Sequence, residues 1–188
     1  AGVINGGDGQ HEHPTQALLD LYTMQEHLGS VEGRKIIIVG DILHSRVARS
    51  NVWALKTLGA EVVLVGPPTL LPLEISSWGV KISHNLDKEL KGADVIMALR
   101  LQLERQEKGL LPSLREYTQL YGITRERLQK TEKPTLIMHP GPVNRGVEIE
   151  SGIINSSQSV IEEQVTNGVA VRMAVMYLLR GGTSHVVD

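Results

Sequence analysis

Five runs of apolar, mostly β-branched residues recur along the chain at strand length. They lie at residues 35–39, 61–65, 80–82, 94–99 and 135–138. Within each run the apolar residues are continuous, which indicates strands covered on both faces. The segments between the runs are helical or long enough for crossover connections. The pattern predicts an α/β fold, a doubly wound, mainly parallel five-stranded sheet with helices on both faces, with function at the carboxyl ends of the strands.

Helix signals agree with this sheet. The first helix begins at His13, has Pro14 at its first position and ends before Gly29. Its apolar stripe comprises Ala17, Leu18, Leu21, Met24 and Leu28. Further helices are predicted at 45–58, 85–91 and 160–179, and loops at 67–72 and 101–112. The length indicates one domain over residues 1–188.

Composition narrows the class of partner. The net charge of −2 and the lack of a long basic run argue against nucleic acid. No apolar run reaches the roughly 18 residues of a membrane span. The chain has no cysteine, so disulfides and thiolate catalysis are excluded, and a cytoplasmic location is expected. The start at Ala1, without an initiator methionine, indicates a cut from something longer.

The segment after the first strand carries an arginine in place of a dinucleotide-binding turn. Gly40-Asp41 is followed by no further glycine up to Arg46, which argues against NAD as a cofactor. Arg46 stands where a strand turns into a helix, and its guanidinium can fork onto a carboxylate. The alternative is a solvated arginine at a helix start.

The fourth strand ends in a second polar group. Alternation places Arg100, Gln102 and Glu104 on one side, at the same edge of the sheet as Arg46. Two arginines and an amide in one crevice predict a site for a small dianion, with Glu104 orienting a guanidinium. A charged loop with a plain ion pair is the alternative.

The fifth strand runs into a turn of two prolines around Gly141, the second of them Pro142. Such a turn is rigid and compatible with a cis bond, and its carbonyl groups can orient an incoming amine. It is equally compatible with a plain connection.

A histidine lies where the first helix begins. His11 and His13 lack the spacing of a zinc site, so no metal is expected. His13 is placed to donate to a carbonyl oxygen, the helix N-terminus disfavours its protonation, and Gln16 faces the same side one turn on. The alternative is a capping or packed histidine.

Taken together, these segments resemble the aspartate/ornithine carbamoyltransferase family over essentially the whole chain. The motifs are H-P-T-Q at 13–16, G-D at 40–41 with its following arginine, R-x-Q-x-E-R at 100–105 and H-P-x-P-V-N-R at 139–145. The resemblance implies carbamoyl transfer from carbamoyl phosphate to L-aspartate in pyrimidine biosynthesis, without a cofactor, a metal or a covalent enzyme intermediate. It implies a homotrimer as the intact enzyme.

Residue roles are carried over from the same resemblance. His13 is similar to the catalytic residue that polarises the carbamoyl carbonyl, Gln16 to its companion, and the backbone of Gly141 and Pro142 to carbamoyl phosphate contacts. Arg46 and Arg100, with Gln102, are similar to the residues that bind the carboxylates of aspartate.

The chain departs from the family pattern because it lacks the carbamoyl phosphate domain with its S-T-R-T loop. It is therefore expected to be the aspartate-binding half and inactive alone. The alternatives are an ornithine carbamoyltransferase, whose S-M-G and H-C-L-P motifs are missing, and a non-catalytic relic or scaffold. Two arginines would repel an ornithine cation, which favours aspartate.

Overall fold

The computed structural model describes residues 2–101 and 113–181. Seven α-helices lie in this part of the chain. They are α1 (Pro14–Leu28), α2 (Arg46–Thr57), α3 (Leu86–Glu89), α4 (Leu114–Tyr121), α5 (Arg125–Gln129), α6 (Ser151–Ile154) and α7 (Ile161–Leu179). The five strands are β1 (Lys35–Val39), β2 (Glu61–Val65), β3 (Lys81–Ser83), β4 (Val95–Ala98) and β5 (Leu136–Met138). Two short 3-10 helices, Pro68–Leu70 and Leu73–Trp78, precede β3.

The five strands form one parallel sheet in the order β3-β2-β1-β4-β5. Strand β1 is central, with Val39 opposite Val65 on one side and Ala98 on the other. The strand order reverses direction between β1 and β4. In an open α/β sheet a crevice forms at the carboxyl ends of two such strands, which is where ligands bind.

Hydrophobic clusters cover both faces of the sheet. Ile36 and Ile38 of β1 pack with residues of α1 and α2, while Ile37 and Val39 pack on the opposite face with α3, α4 and α6. Both faces are therefore buried, which is why the strand sequences are continuously apolar.

The predicted fold class is confirmed. All five strands are present, although β4 and β5 are shorter than predicted and β3 lies one residue later. The long helices agree within a residue at each end, whereas α3 ends at Glu89, two residues early. The predicted loop over 67–72 includes a 3-10 helix, and α4, α5 and α6 were not predicted.

The predicted stripe on α1 is wrong at Leu18, which is 47% exposed. The buried face instead includes Leu19, Asp20 and Thr23, which contact α7. Polar residues on this buried face obscured it in the sequence.

The last helix packs on the first and leaves an apolar face uncovered. A side chain at Gly168 of α7 would meet the Cδ2 atom of Leu19 in α1 at 3.1 Å, so the two helices are in close contact. The exposed apolar residues of α7 are Val165, Val169, Met173, Met176, Tyr177, Leu178 and Leu179, all more than half exposed.

Within the described residues, no helix has the length and apolarity to cross a membrane.

Candidate functional site

The crevice between β1 and β4 brings the sequence-predicted segments to one edge of the sheet. The backbone nitrogen of Leu99 donates to the carbonyl of Val39 at 2.8 Å, which continues the β1–β4 pairing past Ala98. Gly40 and Asp41 follow β1, Arg100 follows Leu99, and His139 follows β5 on the other side of β4. Arg46 begins α2 five residues after Asp41.

Glycines allow the strand ends to approach one another. A Cβ atom on Gly66 would lie 2.6 Å from the carbonyl oxygen of Gly40, and one on Gly40 would lie 3.2 Å from the carbonyl oxygen of Leu99. Gly40 also has φ of +135°, which disfavours any other residue. The floor of the crevice is thus made of closely spaced backbone.

Arg46 lies over the segment that precedes α1. Its Nη1 atom is 3.5 Å from the carbonyl oxygen of Gly9, and its guanidinium lies against Gly7, where a Cβ atom would be only 2.6 Å from Nη1. Arg46 is partly exposed, so its guanidinium can reach a ligand.

The start of α1 is held against α2. The backbone nitrogen of His13 donates to the hydroxyl oxygen of Ser50 at 2.9 Å, and that hydroxyl donates to the carboxyl group of Glu12. His13 is the N-cap residue of α1, but its side chain makes no capping hydrogen bond. The capping alternative for His13 therefore does not apply.

The imidazole of His13 is held in its neutral form. Burial, and after it the positive charges of Arg46 and Arg172, together lower its pKa from 6.5 to about 4. Lowered basicity agrees with the expectation from sequence, but the causes differ, because the neighbouring charges come from α2 and α7. A neutral imidazole can donate one hydrogen bond to an oxygen that gains negative charge.

Gln16 is buried, and its side chain is anchored on the same helix. Its Nε2 atom donates to the Oδ1 atom of Asp20 at 3.0 Å. Burial raises the pKa of Asp20 from 3.8 to about 6, an effect opposed by hydrogen bonds from Asn51, Gln164 and Gln16.

The proline turn after β5 has the expected cis bond between Gly141 and Pro142. Both residues are exposed. The backbone nitrogen of Gly141 donates to the Nδ1 atom of His139 at 2.9 Å, and the Nε2 atom of that ring lies 3.2 Å from the Oε2 atom of Glu148. The turn is thus tied to the protein through a buried side chain.

Of the three residues predicted on the β4 side, the structure describes only Arg100. Arg100 is half-buried at the carboxyl edge, directly after the last residue that pairs with β1. Gln102 and Glu104 lie outside the described residues, so the assignment of Gln102 stays a prediction. The ligand roles of His13, Gln16, Arg46, Arg100, Gly141 and Pro142 likewise stay predictions.

Several polar residues around the crevice were missed by the sequence reasoning. They are Asp20, Asn51, Glu148, Gln164 and Arg172, of which all but Arg172 are buried. One signal was available, because Asp20 follows Gln16 by one helical turn within an otherwise apolar helix. The others gain their meaning only from contacts distant in sequence.

A separate apolar groove of about 780 Å³ lies between α1 and α2. Its walls include Leu18, Tyr22 and Trp53, and none of the predicted site residues that the structure describes lines it. The exposed Leu18 side chain lies in this groove, which borders the start of α1 through Glu12 and Ser50.

The fold and crevice define an α/β protein with a polar ligand site at a topological switch point. The family model described as "Aspartate/ornithine carbamoyltransferase, Asp/Orn binding domain" matches residues 32–179, and the model for the carbamoyl-P binding domain of the same family matches residues 1–26. The chain belongs to the aspartate/ornithine carbamoyltransferase family.

Individual relatives agree with the family match. The aspartate carbamoyltransferase catalytic subunit of Desulfitobacterium hafniense is 86% identical over 100% of this chain and 61% of its own length. The chain therefore spans about three fifths of that relative.

Two solved structures are similar in fold. An aspartate transcarbamoylase from Trypanosoma cruzi in complex with carbamoyl aspartate and phosphate matches with a TM-score of 0.79 and 31% identity, over 92% of this chain and 57% of that one. The ornithine carbamoyltransferase from Pyrococcus furiosus matches with a TM-score of 0.78 and 28% identity, over 93% and 58%. Backbone similarity alone does not separate the two substrates.

Proposed function

We propose that the chain is the aspartate-binding part of an aspartate carbamoyltransferase catalytic chain. The whole enzyme transfers the carbamoyl group of carbamoyl phosphate to the amine of L-aspartate and releases phosphate, a step of pyrimidine biosynthesis. The proposal rests on one observation. His13, which its lowered pKa keeps neutral, lies close enough to Arg46 at the carboxyl edge of the sheet to be affected by its positive charge. The neutral imidazole of His13 can donate to a carbonyl oxygen that becomes negative during the reaction. The guanidinium of Arg46 can bind a substrate carboxylate nearby.

His13 acts on the carbamoyl group. The amine nitrogen attacks the carbamoyl carbon, a C–N bond forms, and the electron pair of the C=O bond moves onto oxygen. When that pair returns, the C–O bond to phosphate breaks, and phosphate leaves with the bonding electrons and takes up the proton that the amine loses. The imidazole N–H donates to that oxygen, so its contribution grows toward the transition state. Gln16 and the backbone of Gly141 and Pro142 hold the carbamoyl phosphate in place for the attack.

The two arginines bind the other substrate. Arg46 and Arg100, with Gln102, bind the two carboxylates of L-aspartate. Paired guanidinium groups disfavour the cationic side chain of ornithine, which makes ornithine carbamoyltransferase the weaker candidate. The 86% identity to an aspartate carbamoyltransferase catalytic subunit supports the same choice.

The uncovered apolar face of α7 fits a chain that works with further protein. The relative from Desulfitobacterium hafniense is longer than this chain, and an exposed apolar face of this kind marks a protein contact. The model of the carbamoyl-P binding domain matches residues 1–26, so we propose that the rest of that domain covers this face, that the whole enzyme is a homotrimer, and that it acts in the cytoplasm.

The proposal is tested with a joined protein, in which this chain is fused to the part of the Desulfitobacterium hafniense subunit that it does not match. We expect carbamoyl aspartate from carbamoyl phosphate and aspartate, and no carbamoyl ornithine when ornithine replaces aspartate. Transfer to ornithine in preference to aspartate, or to neither amine, would overturn the proposal.

The 188-residue chain by itself serves as the control. It is expected to form product only near the background rate, because the proximity contribution of about 7–11 kcal/mol requires both substrates to be held together.

A further inference from the structure

Asp20 is a buried carboxyl group at the junction of three helices. It lies on α1 with no solvent exposure, and its partners are side-chain amides. Its Oδ1 atom accepts from Gln16 of α1 at 3.0 Å and from Gln164 of α7 at 2.8 Å, while its Oδ2 atom accepts from Asn51 of α2 at 2.8 Å.

Gln164 extends this cluster to the proline turn. Its Oε1 atom accepts from the backbone nitrogen of His139 at 2.9 Å, and His139 in turn accepts the backbone N–H of Gly141. A continuous hydrogen-bonded path therefore runs from Gln16 through Asp20 and Gln164 to the turn.

An ionised carboxylate dictates the orientation of every amide around it, because it can only accept hydrogen bonds. Each amide must turn its NH₂ group toward Asp20 and its carbonyl oxygen away. For Gln164 this aims Oε1 at the nitrogen of His139. For Asn51 the orientation leaves Oδ1 buried and without a partner among the described residues, a penalty that the contact with Asp20 offsets.

We propose that Asp20 is a positioning residue that sets the side chain of Gln16 and the turn at 139–142 together, and so prepares both contacts to the carbamoyl group. This inference rests on the proposed function for the meaning of those contacts. With its NH₂ group on Asp20, Gln16 keeps Oε1 to accept an N–H, and a carbamoyl group offers one.

None of the described groups that face Asp20 competes with its carboxylate in orienting the surrounding amides. Asn51 of α2, Gln164 of α7 and Gln16 of its own helix are neutral amides, and Arg172 of α7 adds a positive charge that favours ionisation. Protonation would replace one acceptor with an O–H donor, which conflicts with one of the three NH₂ groups.

The first test uses the joined protein. Asp20→Asn keeps the shape of the side chain but replaces one of its two acceptor oxygens with an NH₂ donor, which conflicts with the amide groups around it. We expect kcat/KM for carbamoyl phosphate to fall about 10–100-fold, since small misplacements of a substrate have effects of this size. Asn167→Ala is the matched control, because Asn167 of α7 donates to Thr23 and Glu26 of α1 farther along the helix pair, with no hydrogen-bonded path to the crevice among the described residues.

A double-variant cycle shows whether Asp20 acts through Gln16. If it does, Asp20→Asn combined with Gln16→Ala lowers kcat/KM by less than the product of the two single effects. Effects that multiply fully, or an equal loss in Asn167→Ala, would overturn the positioning role.

A second measurement needs neither activity nor a variant. In the chain alone, the side-chain amide resonances of Gln16 and Gln164 and the backbone amide of His139 should shift together in a pH titration near pH 6. Independent titration of these signals, or none, would refute the coupling through Asp20. Absence of product from the wild-type joined protein would instead count against the proposed function. The pH titration of the chain alone would then decide whether Asp20 couples these groups.

Discussion

The Oε1 atom of Glu148 accepts a hydrogen bond of 2.8 Å from the backbone nitrogen of Leu101, the residue directly after Arg100. The same carboxyl group accepts from the backbone nitrogen and the side-chain amide of Asn144, both at 2.6 Å. Glu148 therefore fastens the end of β4 to the loop that follows the proline turn. The placement of Arg100 therefore depends on a buried carboxyl group from the segment that follows the proline turn.

Glu148→Ala is expected to lower the free energy of unfolding by about 3–5 kcal/mol, because it leaves several buried donors without an acceptor. Urea denaturation measures the change. Glu162→Ala, which alters an exposed residue of α7, should have little effect. A change below about 1 kcal/mol in the Glu148 variant would show that its hydrogen bonds contribute little net stability.

Arg100→Ala in the joined protein should raise the KM for aspartate far more than that for carbamoyl phosphate. Loss of a charged hydrogen-bond partner of a carboxylate is worth about 2–4 kcal/mol. Steady-state kinetics with each substrate varied in turn provide the comparison. Arg115→Ala on the exposed side of α4 should leave both constants unchanged, and equal changes of both constants in Arg100→Ala would contradict the assignment.

His13→Ala in the joined protein should reduce kcat by about 10²–10³-fold with a smaller effect on substrate binding, because its donor acts mainly on the developing oxyanion. A mutant with normal kcat and weakened binding would make His13 a binding residue.

The protonation of His13 can be followed separately. Imidazole NMR of the chain alone should show His13 titrating near pH 4, well below its ordinary 6.5, because burial and two arginines disfavour the cation. The signal is assigned by its loss in His13→Gln. A midpoint near 6.5 would mean that the ring is solvated and free of those charges.

Asp20 and His13 affect stability in opposite directions over the same pH range. The folded-state pKa of Asp20 is raised from 3.8 to about 6, so the free energy of unfolding falls as the pH rises from about 4 to 6. The pKa of His13 is lowered from 6.5 to about 4, so its contribution is lost as the pH falls through that range. The wild-type profile alone therefore conceals both effects.

The difference between wild type and Asp20→Asn isolates the carboxyl group. The advantage of wild type in unfolding free energy should shrink by up to about 3 kcal/mol between pH 4 and pH 6, at about 1.4 kcal/mol per pKa unit. Chemical denaturation at several pH values measures this difference. A constant difference would mean that Asp20 titrates alike in the folded and unfolded chains.

Gly66→Ala should destabilise the chain by about 1–3 kcal/mol, because the added methyl would lie 2.6 Å from a backbone oxygen that cannot move without the strand. Thermal unfolding is the measurement. Gly6→Ala is the control, since its Cβ would meet no atom within 4 Å. Equal stability of the two variants would contradict this prediction. It would mean that the segments after β1 and β2 move apart to accommodate the methyl group at little cost in free energy.

The sheet was predictable because a strand that is buried on both faces has an unbroken run of apolar residues, as in Ile36, Ile37 and Ile38. Helices α4, α5 and α6 were not predicted, although α4 carried a usable signal. Ser113 caps the backbone nitrogen of Glu116, a serine and a glutamate three residues apart that mark a helix start. Helix α6 has no side-chain cap of this kind.

The crevice was predictable to the extent that strand ends determine it. Arg46, Arg100 and the proline turn each follow a strand, so topology alone brings them to one edge. The network around Asp20 could not be derived in this way, because its partners lie 31 residues away in α2 and 144 residues away in α7. A sequence pattern records periodicity within an element, not which polar groups meet between elements.

The separation of 144 residues between Asp20 and Gln164 also sets an order of events during synthesis. At elongation rates of 5–20 residues per second, Gln164 leaves the ribosome roughly 7–30 s after Asp20. Strands β1 and β2 can pair early, whereas α1 must wait for α7 before its carboxyl group gains its last partner. A nascent chain halted before α7 would contain all five strands but an unfinished crevice.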